Sequence, residues 1–332
     1  MRYIGQKHME NLMRIIIISF LLTISTLAQN VPSYSKLKEV AVDILVNGNL
    51  SGSAAIISED GEVLTAAHIF TKKAKLEVVD HNNKRFPVKV VALDNGHDLA
   101  LLKIQSDQKF PYIKISENGV KPGQTIYHFG SAFFRRAMLQ NGFVSEDKPS
   151  FEFYGGVSNH SVRIIHLSAT MQPGTSGGPW VNKEGELVGT QSGIMVINKS
   201  NSGVAYISPL TAVKKLIKNK KSAATPTMNI LIESVWNQKP PVIANYPGYK
   251  NAVVIVGVHK NGAGEKAGLK KDDLIVAFNN EKVNTDYELY SKLRSVNAGD
   301  KVTLTIYRPS EKKELKIEVK TRSVEERFKA IF

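Results

Sequence analysis

Short apolar runs separated by turn residues fill the chain from Val40 to Ile207. The runs are VAVDILV, SAAIIS, EVLTAA, LEVVD, FPVKVVAL, LALLKI, RIIHLS and ELVGTQSGIMVI. Many short strands with few helical stretches between them predict a mostly β domain built as a barrel or a sandwich. From Leu210 to Asn219, apolar residues recur at helical spacing with lysines between them, so we expect a helix that closes this domain.

A stretch of small residues, SAATP, separates this first block from a second one. The second block contains one helical run, from Tyr287 to Ser295, and the β-like runs NILIESV, AVVIVGV, DLIVAFN, KVTLTIY and ELKIEVK. Such a block is large enough to fold alone, so the sequence predicts two domains. The predicted segments are a first domain at 29–220, a linker at 221–228, a second domain at 229–321 and a tail at 322–332.

Basic residues near the start of the chain precede an uncharged apolar run from Ile15 to Ala28. This order is typical of a secretory signal peptide. About 14 apolar residues is fewer than the roughly 20 that a helix needs to cross a bilayer. We therefore expect residues 1–28 to be a cleaved signal peptide and the mature protein to be periplasmic or extracellular. Membrane anchoring is expected only if this segment stays uncleaved.

The chain has no cysteine, which excludes a disulfide scaffold, a thiol nucleophile and a thiolate metal site. Its formal net charge of +14 raises the question of an anionic partner. The densest basic run, from Lys214 to Lys221, has helical spacing and leads into the linker, which is typical of a solvated helix end. The sequence shows no metal-ligand cluster and no phosphate-binding glycine loop. It therefore predicts neither a metal nor another cofactor, and no nucleic-acid partner.

Three local motifs follow one another along the first domain. They are LTAAH, which ends at His68, HDLALL, which contains Asp98, and GTSGGP, which contains Ser176. Each alone has a plain structural explanation as a polar residue at a strand end, a turn residue or a flexible loop. Together they supply a base, an acid and a nucleophile in the order that the chymotrypsin arrangement uses. We therefore predict that these three side chains meet across the seam between two β-barrels.

These motifs, with the later AGLKKDDLI stretch, resemble the HtrA (Deg) branch of the chymotrypsin-like serine peptidases over roughly residues 40–320. The resemblance implies a double six-stranded β-barrel followed by one PDZ domain. A serine hydroxyl is a weak nucleophile, so Ser176 must pass its proton to His68 while Asp98 holds the imidazole in place. The backbone N–H groups of Gly174 and Ser176 are the predicted donors to the oxyanion.

Further site residues follow from the same resemblance. Ser192 matches the serine or threonine that supports the triad carboxylate, and its alternative is an ordinary strand serine. Thr170, six residues before the predicted nucleophile, aligns with the floor of the primary specificity pocket, and Ile194 and Val204 are its predicted walls. Because Thr170 carries no charge, we expect cleavage after small or medium aliphatic residues rather than after Lys or Arg.

The second domain resembles a PDZ domain of the HtrA type, most closely in AGLKKDDLI. Such a domain binds an extended peptide as an added strand beside an exposed sheet edge. The strand predicted to bind the peptide contains Asn229, Ile230, Leu231 and Ile232. Leu231 aligns with a glycine of the family's carboxylate loop, so this sequence departs from the family pattern there. A domain used only for packing or oligomer contacts is the structural alternative.

The sequence thus predicts an exported serine endopeptidase that cleaves unfolded or misfolded proteins, in a quality-control role, and docks peptides on its PDZ domain. Two alternatives stay open, namely a catalytically inactive scaffold that binds protein partners and an acyl hydrolase that cleaves esters. The resemblance also implies a homo-oligomer, since relatives often form trimers through N-terminal aromatic residues. Between Gln29 and Leu50, however, Tyr34 is the only aromatic residue.

Overall fold

The computed structural model describes residues 31–70, 74–133, 135–146, 148–154, 160–244, 246 and 248–324. The predicted signal peptide lies outside the described residues, as does the predicted tail from residue 325 onward. Strands dominate both domains, so the prediction of a mostly β chain is confirmed. Within these ranges, no helix combines the length and the apolar composition needed to cross a bilayer.

The first six strands close into an antiparallel barrel in the order β1-β2-β3-β6-β5-β4. They are β1 (Ala41–Val46), β2 (Asn49–Ile56), β3 (Glu62–Thr65), β4 (Leu76–Val79), β5 (Arg85–Asp94) and β6 (Leu99–Ile104). A short helix, α1 (Tyr34–Val40), leads into β1. In β5, Phe86 and Val88 are buried while Arg85 and Lys89 are exposed. This alternation is the two-residue period of a strand with one buried face.

The next seven strands form a sheet in the order β13-β12-β11-β7-β8-β10-β9. They are β7 (Thr125–Ala132), β8 (Arg135–Val144), β9 (Ser150–Tyr154), β10 (His160–Ser168), β11 (Pro179–Val181), β12 (Leu187–Ile197) and β13 (Ser200–Pro209). A further pairing of β10 with β13 closes six of these strands into a second ring, which β9 extends through its pairing with β10. The predicted double barrel is thereby confirmed. The apolar runs did not include β7, β8, β9, β11 or β13. In β8 and β9 the reason is that most side chains are polar or partly exposed.

An apolar cluster joins the two barrels. It contains Leu64 and Leu101 from the first barrel and Phe129 and Val181 from the second. The helix that follows β13, α2 (Leu210–Asn219), adds further buried side chains to it and has the bounds that the sequence predicted. Each fully buried side chain of this size contributes about 1.5–3 kcal/mol to stability. The cluster fixes the barrels against each other, so loops from the two barrels keep a constant separation.

The C-terminal domain is a smaller antiparallel sheet in the order β15-β16-β17-β19-β20, with β18 paired to β17. Its elements are β14 (Pro226–Thr227), β15 (Ile230–Ser234), α3 (Pro240–Ile243), β16 (Val253–Val258), α4 (Ala263–Lys266), β17 (Leu274–Phe278), β18 (Glu281–Lys282), α5 (Asp286–Leu293), β19 (Lys301–Arg308), β20 (Lys313–Lys320) and β21 (Arg322–Ser323). Leu289 and Leu293 of α5 pack into the core of this sheet. The helix begins one residue before the predicted run and ends two residues earlier. Pairing of β14 with β21 joins the two ends of the domain.

Candidate active site

Each of the three predicted triad residues lies on a loop at the end of a strand. His68 is in a single turn of 3-10 helix that closely follows β3, and Asp98 ends the turn before β6. Asp98 has a φ of 54°, in the left-handed region that side chains other than glycine rarely adopt. Ser176 lies between β10 and β11 and is followed by Gly177 at a φ of 80°. The first barrel thus supplies two of the residues and the second barrel supplies the third.

Hydrogen bonds connect the three side chains in series. His68 Nδ1 lies 2.8 Å from Asp98 Oδ2, and His68 Nε2 lies 3.0 Å from Ser176 Oγ. The backbone N–H of His68 also donates to Asp98 Oδ1 at 2.9 Å. Both carboxylate oxygens therefore hold the same histidine, and its Nε2 is the atom within hydrogen-bonding distance of the serine hydroxyl.

The negative charge of Asp98 controls the protonation of His68. The Asp98 residue is only 3% exposed, so water screens its charge poorly. Burial opposes the protonated form of His68, but the charge and the hydrogen bond of Asp98 outweigh burial and raise the pKa of His68 above its ordinary value of 6.5. A base is available at Nε2 once the pH exceeds that raised pKa.

The loop before the serine is held by its carbonyl groups. The Pro173 carbonyl accepts a hydrogen bond from the Phe133 N–H at 2.8 Å, and the Thr175 carbonyl accepts one from the N–H three residues later at 3.0 Å. In a trans peptide the N–H points opposite to the preceding carbonyl. The N–H groups of Gly174 and Ser176 are therefore directed away from these bonds. Among the described residues, neither of these two N–H groups has an acceptor.

One residue of the first barrel fastens this loop on both sides of Thr175. The Ser53 N–H donates to the Ser176 carbonyl at 2.7 Å, and Ser53 Oγ donates to the Gly174 carbonyl at 2.9 Å. Ser53 is fully buried on β2, and its own carbonyl accepts from Thr65 Oγ1 at 2.7 Å. The position of Ser176 relative to the first barrel is thus fixed by the backbone and the side chain of Ser53 together.

The two glycines after Ser176 leave room for close contacts that a side chain would block. A Cβ on Gly177 would lie 2.0 Å from Thr65 Oγ1, and a Cβ on Gly178 would lie 2.3 Å from His128 Nε2. Burial lowers the pKa of His128 to about 3, so its imidazole is neutral. Its Nε2 lies 3.2 Å from the Thr175 carbonyl and donates a hydrogen bond to it. Glycine is therefore required at both positions for the loop to pack.

A cleft of about 480 Å³ opens beside His68 and Ser176. The other residues that line it are Glu152, Phe153, Tyr154, Ser192, Gly193, Ile194, Met195, Val196 and Tyr206. Of the three residues predicted to form the specificity pocket, Ile194 belongs to this lining, whereas Thr170 and Val204 do not. Thr170 is exposed, and Val204 packs against a neighbouring apolar cluster of the second barrel.

Ser192, the predicted support of the carboxylate, donates to Asp98 Oδ2 at 2.5 Å. The hydroxyl of Tyr154 lies 2.7 Å from Ser192 Oγ. No motif in the sequence pointed to Tyr154, which lies on β9, 22 positions before Ser176. Its only sequence signal is the alternation within SFEFY, because the residues of a strand point to opposite faces in turn.

Strand β9 separates the cleft from the C-terminal domain. Glu152 and Tyr154 line the cleft, while Phe151 packs against Tyr290 of α5 with ring centroids 5.3 Å apart. Phe153 stacks on His259 of the C-terminal domain and is also one of the residues that line the cleft. One strand of the second barrel therefore contacts both the candidate active site and the C-terminal domain.

A charged cluster supports the inner face of β9. His166 on β10 lies 2.8 Å from a carboxylate oxygen of Glu152 and 2.9 Å from one of Glu146. Burial opposes protonation of His166, but hydrogen bonds and charge from the two carboxylates raise its pKa to about 9. The imidazolium is therefore present at neutral pH and ties β9 to β10.

The predicted peptide-binding strand of the C-terminal domain, β15, is the end strand of its sheet. Ile230 and Ile232 are buried in the domain core, while Leu231 is partly exposed and covers Gly257 of the neighbouring strand. Asn229 precedes the strand at a φ of 55°, and its side-chain oxygen accepts from the backbone N–H of Ala263 at 3.2 Å. The Asn229 side chain thus ties the residue before β15 to the start of α4.

Comparison with known proteins defines the class of both domains. Residues 52–189 match the trypsin-like peptidase domain, and residues 193–320 match the PDZ domain. Solved structures agree with this fold: an HtrA-type protease AlgW with decapeptide has a TM-score of 0.63 at 18% identity and covers 88% of this chain and 98% of that one. The serine endoprotease from Yersinia pestis has a TM-score of 0.59 at 20% identity, with coverage of 88% and 98%. The chain is a trypsin-like peptidase domain followed by a PDZ domain.

Sequence relatives narrow the class further. A probable periplasmic serine endoprotease, DegP-like, from Marinomonas sp. (strain MWYL1) is 30% identical over 277 residues, which is 82% of this chain and 57% of that protein. Serine protease HTRA1 from Xenopus laevis is 27% identical over 257 residues, 74% of this chain and 55% of that protein. The chain spans little more than half the length of these relatives. Its resemblance to the HtrA and DegP serine endoproteases is confirmed.

Proposed function

We propose that this protein is a serine endopeptidase in which Ser176 is the nucleophile, His68 the general base and Asp98 the residue that orients it. The observation that supports this most directly is the series of hydrogen bonds that joins the three side chains at 2.8 and 3.0 Å. Relatives that are named serine endoproteases support the same reaction class. A catalytically inactive scaffold would have no need for this arrangement.

The geometry supports a two-step acyl transfer. Ser176 Oγ attacks the scissile carbonyl carbon while its proton passes to His68 Nε2, and the resulting imidazolium is stabilised by Asp98. The C–N bond then breaks as Nε2 gives the proton to the leaving amine. Water attacks the acyl-enzyme by the same route, which releases the new carboxyl terminus and restores the serine. The free N–H groups of Gly174 and Ser176 would bind the oxyanion in both steps.

We propose that the cleft prefers small or medium aliphatic side chains before the scissile bond. Ile194, Met195 and Val196 give it an apolar wall. Its carboxylate, Glu152, is already paired with His166 at 2.8 Å, so it is poorly placed to select a Lys or Arg side chain. Thr170 and Val204, which do not line this cleft, stay proposals that rest on the family resemblance alone.

The C-terminal domain is proposed to dock an extended peptide beside β15. An end strand has backbone N–H and C=O groups that can pair with an added strand, and this pairing requires no particular side chain. The DegP-like relatives are named periplasmic, which supports the further proposal that residues 1–28 direct export. An unfolded protein substrate would suit both sites, since each binds a segment in extended form.

Digestion of casein by the purified protein, beside a Ser176→Ala variant, tests the proposed activity. We expect the wild-type protein to cleave casein and the variant to lose activity by a factor on the order of 10⁴ or more. Cleavage of a simple ester but not of casein would favour an acyl hydrolase instead. Equal and negligible turnover by the two proteins on both substrates would contradict the proposal.

A further inference from the structure

A chain of hydroxyl groups extends from the candidate triad into β9. Tyr154 Oη lies 2.7 Å from Ser192 Oγ, which lies 2.5 Å from Asp98 Oδ2. Asp98 also accepts from His68 through both of its oxygens. Four residues, together with Ser176, thus form one connected network from the second barrel's outer strand to the nucleophile.

The directions of the two hydrogen bonds that Ser192 makes in this network are determined by proton count. An ionised carboxylate only accepts, so Ser192 must use its single proton on Asp98. Ser192 Oγ is therefore the acceptor in its contact with Tyr154, and the phenol is the donor. Burial and the negative charge of Asp98 raise the pKa of Tyr154 well above its ordinary value, so the phenol keeps the proton that it donates.

The packing around Tyr154 fits this role. A Cβ on Gly193 would lie 2.7 Å from Tyr154 Oη and 3.0 Å from its Cζ, so the glycine beside Ser192 makes room for the phenol. The ring also packs near Tyr206, with ring centroids 6.1 Å apart. The phenol therefore lies closely against β12 at Gly193, with its hydroxyl within hydrogen-bonding distance of Ser192.

We propose that Tyr154 is a positioning residue of the proposed peptidase, which acts on the triad through Ser192. By occupying a lone pair of Ser192 Oγ, the phenol fixes the serine hydroxyl in the rotamer that points its proton at Asp98. Without this donor the hydroxyl of Ser192 can rotate towards other acceptors, and Asp98 loses one of the bonds that orient it. The inference rests on the proposed function, because it assigns Tyr154 a part in that reaction.

The variant Tyr154→Phe removes the hydroxyl and keeps the ring. On a short fluorogenic peptide we expect kcat to fall roughly three- to tenfold, the loss typical of one hydrogen bond, with KM changed less than about twofold. The acid limb of the kcat/KM profile should move to higher pH. The phenol dipole no longer offsets the charge of Asp98, so that charge holds the His68 imidazolium more strongly. Tyr287→Phe, which keeps the ring next to Phe151 on the other side of β9, is the matched control and should leave the profile unchanged.

A double variant separates positioning from a general loss of packing. In a Ser192→Ala background, the Tyr154→Phe change should have little further effect on kcat, because both residues act through one path. An equal loss in both backgrounds, or a fall in kcat with an unmoved acid limb, would overturn the inference. So would a Tyr154→Phe variant whose kcat stays within about twofold of wild type. Each of these outcomes can be observed only if the wild-type protein cleaves the peptide. Failure of the proposed function is a different result, namely a wild-type protein that cleaves no faster than the Ser176→Ala variant.

Discussion

The candidate active site and the end strand of the C-terminal domain are both proposed to bind an extended peptide, yet they are built in different ways. At the barrel seam, Asp98 accepts bonds from a backbone N–H, an imidazole and a hydroxyl. The loop of Ser176 is fixed by two bonds from Ser53. At β15, the peptide would pair with the backbone N–H and C=O groups of an end strand, whose side chains Ile230 and Ile232 are buried in the domain core.

The difference shows which features of the sequence each kind of site requires. Transition-state stabilisation needs a few groups held within a fraction of an ångström, so the active site depends on particular residues and on backbone angles that few residues tolerate. Strand addition uses the backbone N–H and C=O groups that nearly every residue carries. It therefore requires an accessible strand edge and not particular side chains. The two sites should therefore respond to different perturbations, and each can be changed while the other is monitored.

The largest effect is expected from the oxyanion loop. Gly174 has a φ of 96°, so Gly174→Ala should strain the loop and turn its N–H away from the reacting oxygen. We expect kcat to fall by about 10²–10³, as for loss of one oxyanion donor, with binding of a labelled peptide to the C-terminal domain unchanged. Gly48→Ala is the matched control, since Gly48 has a φ of 81° with open space around it. Gly48→Ala should lower the free energy of unfolding and leave kcat unchanged. A similar fall in kcat in both variants would contradict a special role of Gly174.

An intermediate effect is expected at the end strand. A C-terminal peptide with alternating backbone N-methyl groups loses two or more hydrogen bonds to β15, each contributing about 1 kcal/mol. It should bind the Ser176→Ala variant at least about tenfold more weakly than the unmodified peptide in a fluorescence titration. Cleavage of a short substrate by the wild-type protein should not respond to the methylated peptide. Equal binding of the two peptides would show that this domain does not use strand addition.

The smallest effect is expected from the charged cluster under β9. The pKa of His166 in the folded protein, about 9, exceeds its ordinary value of 6.5, so protonation favours the folded state. The stabilisation is fully present below pH 6.5 and is lost as the pH rises through about 9. The free energy of unfolding of wild type, relative to His166→Gln, should fall by on the order of 1 kcal/mol over that window in urea titrations. A difference that is flat from pH 6 to 10 would contradict this.

Sequence patterns predicted those features that depend on neighbouring residues. The bounds of α2 follow from its apolar spacing, and the three motifs place His68, Asp98 and Ser176 at strand ends that the structure brings together. The motif GTSGGP likewise marked the loop around Ser176, and two of its glycines, Gly174 and Gly177, have the positive φ that glycine tolerates. Local sequence suffices for the helix because its geometry is set within a few residues. The meeting of His68 with Ser176, 108 positions away, was instead predicted from the order of the motifs and the family resemblance.

Features that depend on distant partners could not be predicted in the same way. Tyr154 and Ser192 are 38 positions apart, and Ser53 and Gly174 are 121 apart, so only the closed barrels show that they touch. Strands β8 and β9 form no apolar run because most of their side chains are polar or partly exposed. The depth of the specificity pocket is a similar case, because which side chains line it depends on how β12 and β9 approach each other.

The attachment of the nucleophile loop to Ser53 limits how a substrate can enter. Any hinge motion that separated the barrels would pull the Ser53 N–H and hydroxyl from the two carbonyls beside Thr175 and so displace Ser176 from His68. For the proposed peptidase, a substrate segment would therefore have to enter the cleft without parting the barrels. An unfolded polypeptide would meet that condition more easily than a compact folded protein.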